Sequence, residues 1–293
     1  MTEAVAERMR ALAATASIEV TPREAGGLRE LAGLLPSGTT VYITKLPTAP
    51  PEATERAAAE IREAGHVPVP HVAVRGFASL DELDAHLAVM ARDAGVDDVL
   101  VVGGSIKSPA GGLTNTMQVL RSGLLQAHGI RRAGVAGHPE GSPDIPPQAL
   151  QEALREKNEF AAESDIQLRV VTQFALAPGP YVRWEQAARS AGNRLPVTAG
   201  LPGVTSPPRL LKFALACGIG PSIEVLRKQS GGLLRLATTR VWRPDALLEG
   251  IAAAVDADPD SLFAGMHMFP FGGLRETAVW LADMRAGDTA LPA

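Results

Sequence analysis

A single carboxylate interrupts the first apolar run of the chain. Glu19 lies between Ile18 and Val20, in a segment that covers residues 17–21. A carboxylate in such a position is costly unless it is paired, protonated or open to a cavity. Spacing alone leaves two readings open. Glu19 is either a structural carboxylate bonded to a neighbouring strand, or a general acid whose pKa is raised by burial.

Several later apolar runs end in side chains that form directional hydrogen bonds. The amide of Gln173 can both donate to and accept from a planar heterocycle, and the other reading is an amide that ties two loops together. His71, His138 and His267 also end runs, without carboxylates at the spacing of a metal site. We therefore predict that these histidines are hydrogen-bonding pocket residues and that the protein has no metal site.

A glycine-rich turn and three basic residues follow other runs. Residues 103–108 read Gly-Gly-Ser-Ile-Lys-Ser, and adjacent glycines let backbone N–H groups approach a ligand such as a phosphate. Lys45, Arg75 and Lys107 each stand just past a run. Together they would form a basic rim that suits a pyrophosphate or an anionic substrate tail. An ordinary turn and solvated surface charges are the alternatives.

The elements that must position these residues are eight short apolar runs, separated mostly by helix-like sequence. Eight strand–helix units in 293 residues match a (β/α)8 barrel. We therefore predict an α/β fold of the TIM-barrel type, with one domain over residues 1–293 and a capping helix at residues 1–16. A doubly wound open sheet is the alternative, but no Gly-x-Gly-x-x-Gly follows the first run. The runs are residues 17–21, 39–46, 67–74, 98–105, 131–138, 168–175, 195–201 and 262–271.

In a barrel of this type the active site lies on the loops after the strands, so the residues that end the runs are the candidates. They are Glu19, Thr44, His71, Ser105, His138, Gln173, Leu201 and His267.

Helical sequence is clearest at residues 51–64 and 79–94. Ser79 is placed to cap the second helix, with Glu82 at the capping-box position, and Gly95 follows as a stop. Residues 147–164 and 181–191 also predict helices. The segment 206–255 is long enough for two or three helices, with breaks predicted at residues 218–221 and 243–245.

Composition indicates a soluble cytoplasmic enzyme. Apolar residues make up 46% of the chain and charged residues 20%, which is enough to build a core. The formal net charge of −4 disfavours nucleic acid or an anionic membrane as the main partner. Cys217 is the only cysteine, which excludes an internal disulfide and a multi-cysteine metal site. No apolar stretch reaches the roughly 18 residues of a membrane-spanning helix.

Seven stretches in this order resemble the methylenetetrahydrofolate reductase family. The most specific are His-Pro-Glu-Gly at 138–141 and Thr-Gln-Phe at 172–174. The resemblance runs from about Glu19 to His267. It implies a (β/α)8 barrel that reduces 5,10-methylenetetrahydrofolate to 5-methyltetrahydrofolate, a step of one-carbon metabolism and methionine biosynthesis. It also implies that Glu19 is the catalytic glutamate and that Gln173 binds the pterin ring. The other matching stretches are residues 18–22, 70–71, 136–144, 201–204, 211–218 and 265–267.

The chain departs from the family's flavin-containing members at their flavin contacts. They carry Arg-Gly-Asp-x-Pro after the fourth strand, where residues 103–107 here contain neither Arg nor Asp. Their Thr-Tyr-Gly is replaced by Tyr-Ile-Thr-Lys at 42–45, and their nicotinamide-packing aromatic by Ser-Pro-Pro at 206–208. The Lys-Val-Asp-Ala-Gly helix end gives way to residues 157–163. This pattern resembles the flavin-independent actinobacterial branch, in which hydride passes directly from NADH to the folate.

On this basis we predict NADH as cofactor, FAD as absent and a tetrahydrofolate derivative as the small-molecule partner. The oligomeric state stays open, with a homo-oligomer as one outcome, as does the choice of NADH, NADPH or a deazaflavin. The alternatives are an FAD-dependent reductase with altered flavin contacts and a non-catalytic folate-binding homologue. The substrate-binding residues are predicted to be Gln173, Thr44, His267 and Ser105, and the cofactor-binding residues His71, His138, Lys45, Gly104 and Lys107.

Overall fold

The structure is a computed structural model that describes residues 1–46, 48–109, 111–219 and 241–287. Its eight strands follow one another in chain order around a closed barrel. Neighbouring strands are parallel in each pair whose register is described. The predicted (β/α)8 fold is therefore confirmed. The strands are β1 Ser17–Val20, β2 Thr40–Ile43, β3 Val67–Ala73, β4 Asp98–Val102, β5 Arg132–Gly137, β6 Gln167–Thr172, β7 Val197–Pro202 and β8 Phe263–Phe269.

Each strand falls within or almost within its predicted apolar run, but most of the runs extend past the end of the strand. β4 ends at Val102, where Gly104 takes a left-handed backbone with φ of +84° and turns the chain. β2 ends at Ile43, although the backbone N–H of Thr44 still donates to Val20 O at 2.9 Å. The polar residues after the strands therefore begin loops, which leaves their side chains outside the regular ladder.

The helices alternate with the strands and begin where the sequence offers capping groups. Before α3 the hydroxyl of Ser79 accepts from Glu82 N at 3.2 Å, and Gly95 ends the helix with φ of +56°. The described helices are α1 Glu3–Ala14, α2 Pro51–Glu63, α3 Leu80–Ala94, α4 Thr116–Leu120, α5 Leu124–Ala127, α6 Pro147–Glu163, α7 Pro178–Ser190, α8 Pro207–Ala216, α9 Asp245–Ala257 and α10 Leu274–Ala286. Short 3-10 helices cover Ala25–Leu31 and Val74–Gly76.

The long predicted helical segment contains α8 and α9. Gly218, the first residue of one predicted break, follows Cys217, the residue that caps α8. The other break is confirmed, because α9 begins at Asp245. The prediction of a further helix between them falls on residues 220–240, outside the described residues.

The chain divides into two compact units. The N-half comprises residues 17–136 and 154–170, and the C-half comprises residues 1–16, 137–153 and 171–293. In the C-half, α1 packs against α9 and α10, so the predicted N-terminal helix is present. A core cluster of that unit joins Phe174, Leu210 and Ala214. Within the described ranges, no helix has both the length and the apolar character needed to cross a membrane.

Candidate active site

Glu19 and His71 form a pair in the N-half. Oε2 of Glu19 on β1 lies 3.2 Å from Nε2 of His71 on β3. The Glu19 side chain is 16% exposed and that of His71 is 13% exposed, so the pair is largely sheltered and still reaches solvent. Sequence analysis assigned His71 to cofactor binding. Its position makes it first of all the partner of Glu19.

The strand pleat explains why a carboxylate is tolerated inside β1. Ile18 and Val20 are at most 1% exposed, whereas Glu19 between them is half-buried. Successive side chains of a strand point to opposite faces, so these two neighbours face away from the side on which Glu19 lies. Glu19 is in register with Tyr42 of β2, and the ring of Tyr42 meets that of His71 edge-on, with centroids 6.1 Å apart.

A half-buried arginine also bonds to Tyr42. Arg169 of β6 donates from Nε to Tyr42 Oη at 3.1 Å and from Nη2 to the same oxygen at 2.6 Å. Its Nη1 donates to Asp98 Oδ1 at 2.9 Å. These three residues come from β2, β4 and β6, and alternate strands supply each layer of a barrel interior. We call Tyr42, Asp98 and Arg169 the polar layer.

Burial controls the ionisation of the polar layer. It raises the pKa of Tyr42, and Arg169 opposes that rise, while the charges of Asp98 and Glu19 add to it. The phenol is therefore neutral near pH 7. Burial also raises the pKa of the Asp98 carboxyl, and the guanidinium of Arg169 opposes that rise. Sequence analysis missed this layer. The signal was present, because Arg169 and Asp98 are charged residues within otherwise apolar strands.

A cleft in the N-half gathers some of the predicted cofactor residues. Its cavity volume is about 110 Å³. Its lining includes Lys45, Gly104 and Ser105, together with apolar walls from Phe77 and Ile106. The carboxylate of Glu82 also lines it. Apolar walls with a few polar groups are typical of small-molecule sites.

The predicted basic rim is only partly available to an anion. Lys45 Nζ donates to Ala49 O at 2.7 Å, and burial lowers the pKa of Lys45 although three nearby glutamates oppose this. Arg75 donates from Nε to Gly103 O at 3.1 Å and from Nη2 to Gly104 O, so its guanidinium holds the glycine turn. Lys107 is exposed and Thr44 half-buried, and neither lines the cleft.

Gln173 lies in the C-half, directly after β6. Its backbone N–H donates to Gly137 O at 2.8 Å, and its side-chain Oε1 accepts from Phe174 N at 3.0 Å. The second lone pair of Oε1 and the two N–H donors of the amide remain for a ligand. Thr172 fixes the strand just before it, because its hydroxyl accepts from Gly200 N at 2.9 Å.

Two other predicted histidines of the C-half differ in burial. His138 is half-buried at a turn in which Gly141 N donates to His138 O at 3.0 Å. His267 is fully buried and meets the ring of Phe269 edge-on, with centroids 4.7 Å apart. This burial gives no support to the prediction that His267 contacts substrate. Leu201, the last of the strand-end candidates, is also fully buried.

An aromatic stack continues from Phe269 towards solvent in the C-half. The rings of Phe269 and Phe271 are nearly parallel, with centroids 5.8 Å apart, and Phe213 stacks on Phe271 at 4.3 Å. Phe271 has φ of +48°, a left-handed backbone that is rare for a bulky residue and costs of order 1–3 kcal/mol. The stack ends in Phe213, which is 37% exposed. Sequence analysis did not single out these aromatic residues.

The part of the chain that the structure describes contains no group of three or more His, Cys, Asp or Glu side chains able to hold a metal ion.

Comparison with known proteins adds little beyond the architecture. No protein-family model matches the chain. Among the solved structures that match is the tetrameric deoxyribose phosphate aldolase from Aeropyrum pernix, at 14% sequence identity and a TM-score of 0.44. The match covers 68% of this chain and 84% of the aldolase. So low a similarity carries no argument about function.

Proposed function

We propose that the protein is a methylenetetrahydrofolate reductase that uses NADH directly, with Glu19 as general acid. The observation that carries the proposal is the pairing of Glu19 with His71 at 3.2 Å in a sheltered position. Its support from sequence is the resemblance described above, which places the catalytic glutamate of that family at Glu19.

The pair answers a chemical requirement of the reaction. Opening the five-membered ring of the substrate to an iminium cation requires a proton on the departing nitrogen. An isolated glutamic acid, with a pKa of about 4.3, is ionised at neutral pH. A carboxyl and an imidazole within hydrogen-bond distance can hold one proton between them, on the oxygen or on Nε2. Glu19 can then deliver that proton, and the carboxylate left behind stabilises the cation.

The cleft beside β2, β3 and β4 is the site that we assign to the dinucleotide. A reduced nicotinamide supplies the hydride when it is bound. Phe77 and Ile106 offer apolar walls for a flat ring, and the carboxylate of Glu82 suits ribose hydroxyls. Lys45 and the N–H groups of the turn at Gly104 are the residues for a phosphate. The departures at 103–107 and 42–45 favour turnover without flavin.

Gln173 is the residue that we propose for the pterin edge. Its Oε1 keeps one free lone pair, and its amide N–H groups have no hydrogen bond among the described residues. An edge with an adjacent donor and acceptor matches that set. Tetrahydrofolate derivatives carry such an edge.

The deciding experiment mixes purified, cofactor-stripped protein with methylenetetrahydrofolate and NADH, and follows both NADH oxidation and formation of methyltetrahydrofolate. We expect a colourless protein that turns over without added flavin. Stoichiometric bound FAD, with activity lost when it is removed, would replace this proposal by the flavin-dependent reductase. Folate binding without turnover would identify a non-catalytic homologue. The same assay with NADPH or a reduced deazaflavin tests the hydride carrier.

A further inference from the structure

The polar layer places charged side chains in a barrel interior, where their desolvation costs free energy. Branched apolar side chains usually fill it. Here Arg169 and Asp98 form an ion pair at 2.9 Å, with Asp98 only 5% exposed as a residue. Replacing a buried ion pair by apolar residues of similar volume is often neutral or stabilising. Stability alone therefore does not explain why the barrel contains this layer. We ask instead whether the layer contributes to the Glu19–His71 site.

The layer contacts the catalytic pair through Tyr42. The guanidinium of Arg169 holds the Tyr42 oxygen with two N–H donors, and its Cζ lies 5.7 Å from the centre of the Tyr42 ring. The same ring meets that of His71 edge-on. Tyr42 is also in register with Glu19 and close enough for the carboxylate charge to affect its phenol. A shift of the Tyr42 ring would therefore change the surroundings of both Glu19 and His71.

We propose that Arg169 is a positioning residue, which fixes Tyr42 and through it the Glu19–His71 pair, with Asp98 as its counter-ion. The role in turnover rests on the proposed function. Arginine suits the task because its planar fork places three N–H donors on two acceptors at once. A lysine at this position would be a flexible point charge and would hold the phenol in no fixed orientation.

The test replaces the whole ion pair, so that no charge is left buried. Arg169→Met combined with Asp98→Leu removes both charges and should keep the fold. Asp98→Leu alone would leave Arg169 without its carboxylate, and Arg169→Met alone would leave Asp98 with only the more distant Arg132, 3.7 Å away. The matched control is Arg131→Met with Asp165→Leu, which removes a surface pair of the same unit whose atoms lie 2.8 Å apart. Tyr42→Phe is a milder second variant, since it keeps the ring and loses only the acceptor for Arg169.

Two readouts are needed in each variant. The first is kcat with the KM of each substrate. The second is the NMR signals of the His71 ring in the ligand-free protein, assigned with His71→Gln. We expect kcat to fall by about 10- to 100-fold, because misplacing a reacting group by about 1 Å can cost 10²-fold. Both KM values should change less than about twofold, and the His71 ring signals should move, while the control changes neither.

The proposal is overturned if the variant folds and keeps both kcat and the His71 ring signals, since the layer would then be structural only. Moved ring signals with an unchanged kcat overturn it too. If the unmodified protein has no reductase activity, the proposed function fails by itself, and the ring signals of the variants alone decide whether Arg169 positions His71. If the double variant does not fold, Tyr42→Phe replaces it, and the same His71 ring signals and kcat decide the outcome.

Discussion

At the scale of single residues, the main finding is that Glu19 has a basic partner. In the proposed function, Glu19 delivers the proton for ring opening, and Nε2 of His71 lies 3.2 Å from its Oε2. Glu19→Gln nearly preserves the shape of the side chain but cannot deliver a proton. General acid catalysis contributes about 10²–10⁴-fold, so kcat should fall by that factor.

The measurement for Glu19→Gln is steady-state kcat, with NADH affinity measured separately by titration. NADH affinity and thermal stability should stay near those of the unmodified protein, because the substitution is nearly isosteric. Glu7→Gln, on an exposed position of α1, is the control for loss of a carboxylate. A Glu19→Gln enzyme with almost full kcat would show that the proton comes from another group.

Gln173→Leu tests the other half of the proposed chemistry. The change removes hydrogen bonds to the pterin edge, each worth on the order of 1 kcal/mol net and more when a ligand group is left unsatisfied. The KM for the folate should therefore rise about tenfold, with the KM for NADH little changed. Steady-state kinetics with each substrate varied in turn gives both values. If only the NADH dependence moves, the amide belongs to the dinucleotide and not to the pterin.

How much of the site could be predicted from sequence depends on how far apart in the chain the interacting residues are. Glu19 stands out because one carboxylate between two apolar residues is unusual within a single run. Its partnership with His71 depends on the barrel placing β1 and β3 on either side of β2, so that the two side chains meet. Arg169 and Tyr42 are 127 positions apart in the chain, so only the closed barrel reveals their contact. The sequence shows that Asp98 and Arg169 are charged residues within apolar strands, but it does not show that they contact each other.

At the scale of elements, the strands were predictable because parallel barrel strands are buried on both faces and appear as continuous apolar runs. Their ends were placed too late in most cases, since residues such as Thr44 and Ser105 continue the pattern without belonging to the strand. The cap of α3 was predicted from Ser79 and Gly95 because capping depends on neighbours in sequence. The aromatic stack was not predictable, because Phe213 comes from α8 and Phe271 from the loop before α10.

Tyr181 fastens the ends of β6 and β7 and offers a test at this scale. Its hydroxyl accepts from Ala175 N at 2.7 Å and donates to Gly200 O, and the residue is fully buried. Tyr181→Phe leaves two backbone groups without partners, each costing about 1–3 kcal/mol. The free energy of unfolding, measured by denaturant titration, should fall by about 2–4 kcal/mol. A loss below about 0.5 kcal/mol would mean that water reaches those backbone groups.

At the scale of the whole molecule, two buried histidines predict loss of stability in acid. Burial lowers the pKa of His66, against a backbone hydrogen bond with Pro36, and burial also lowers that of His86, against Glu55. The folded protein then binds fewer protons than the unfolded chain below the ordinary histidine pKa of about 6.5. Their contribution is therefore complete above that pH and declines as the pH falls below it.

Thermal melts between pH 5 and 8 should show this decline, and His66→Leu should make it shallower. The substitution removes one group that must be kept neutral in the core, and leaves His86 in place. Identical slopes for the two proteins would show that His66 is protonated equally in the folded and unfolded states.

The ion pair inside the barrel also limits which substitutions this sequence can accept at positions 98 and 169 during evolution. Losing Asp98 alone strands Arg169, at a cost of about 3–5 kcal/mol, which is a large share of the roughly 5–15 kcal/mol that holds a typical domain together. Losing Arg169 alone leaves Asp98 only the more distant Arg132, 3.7 Å away. Losing both together can be nearly neutral for folding. Descendants of this chain should therefore keep Arg169 and Asp98 as a couple or exchange them as a couple. Intermediates with one charge would be rare. If the proposed function holds, a lineage that loses the proposed reaction would be the first in which both residues disappear.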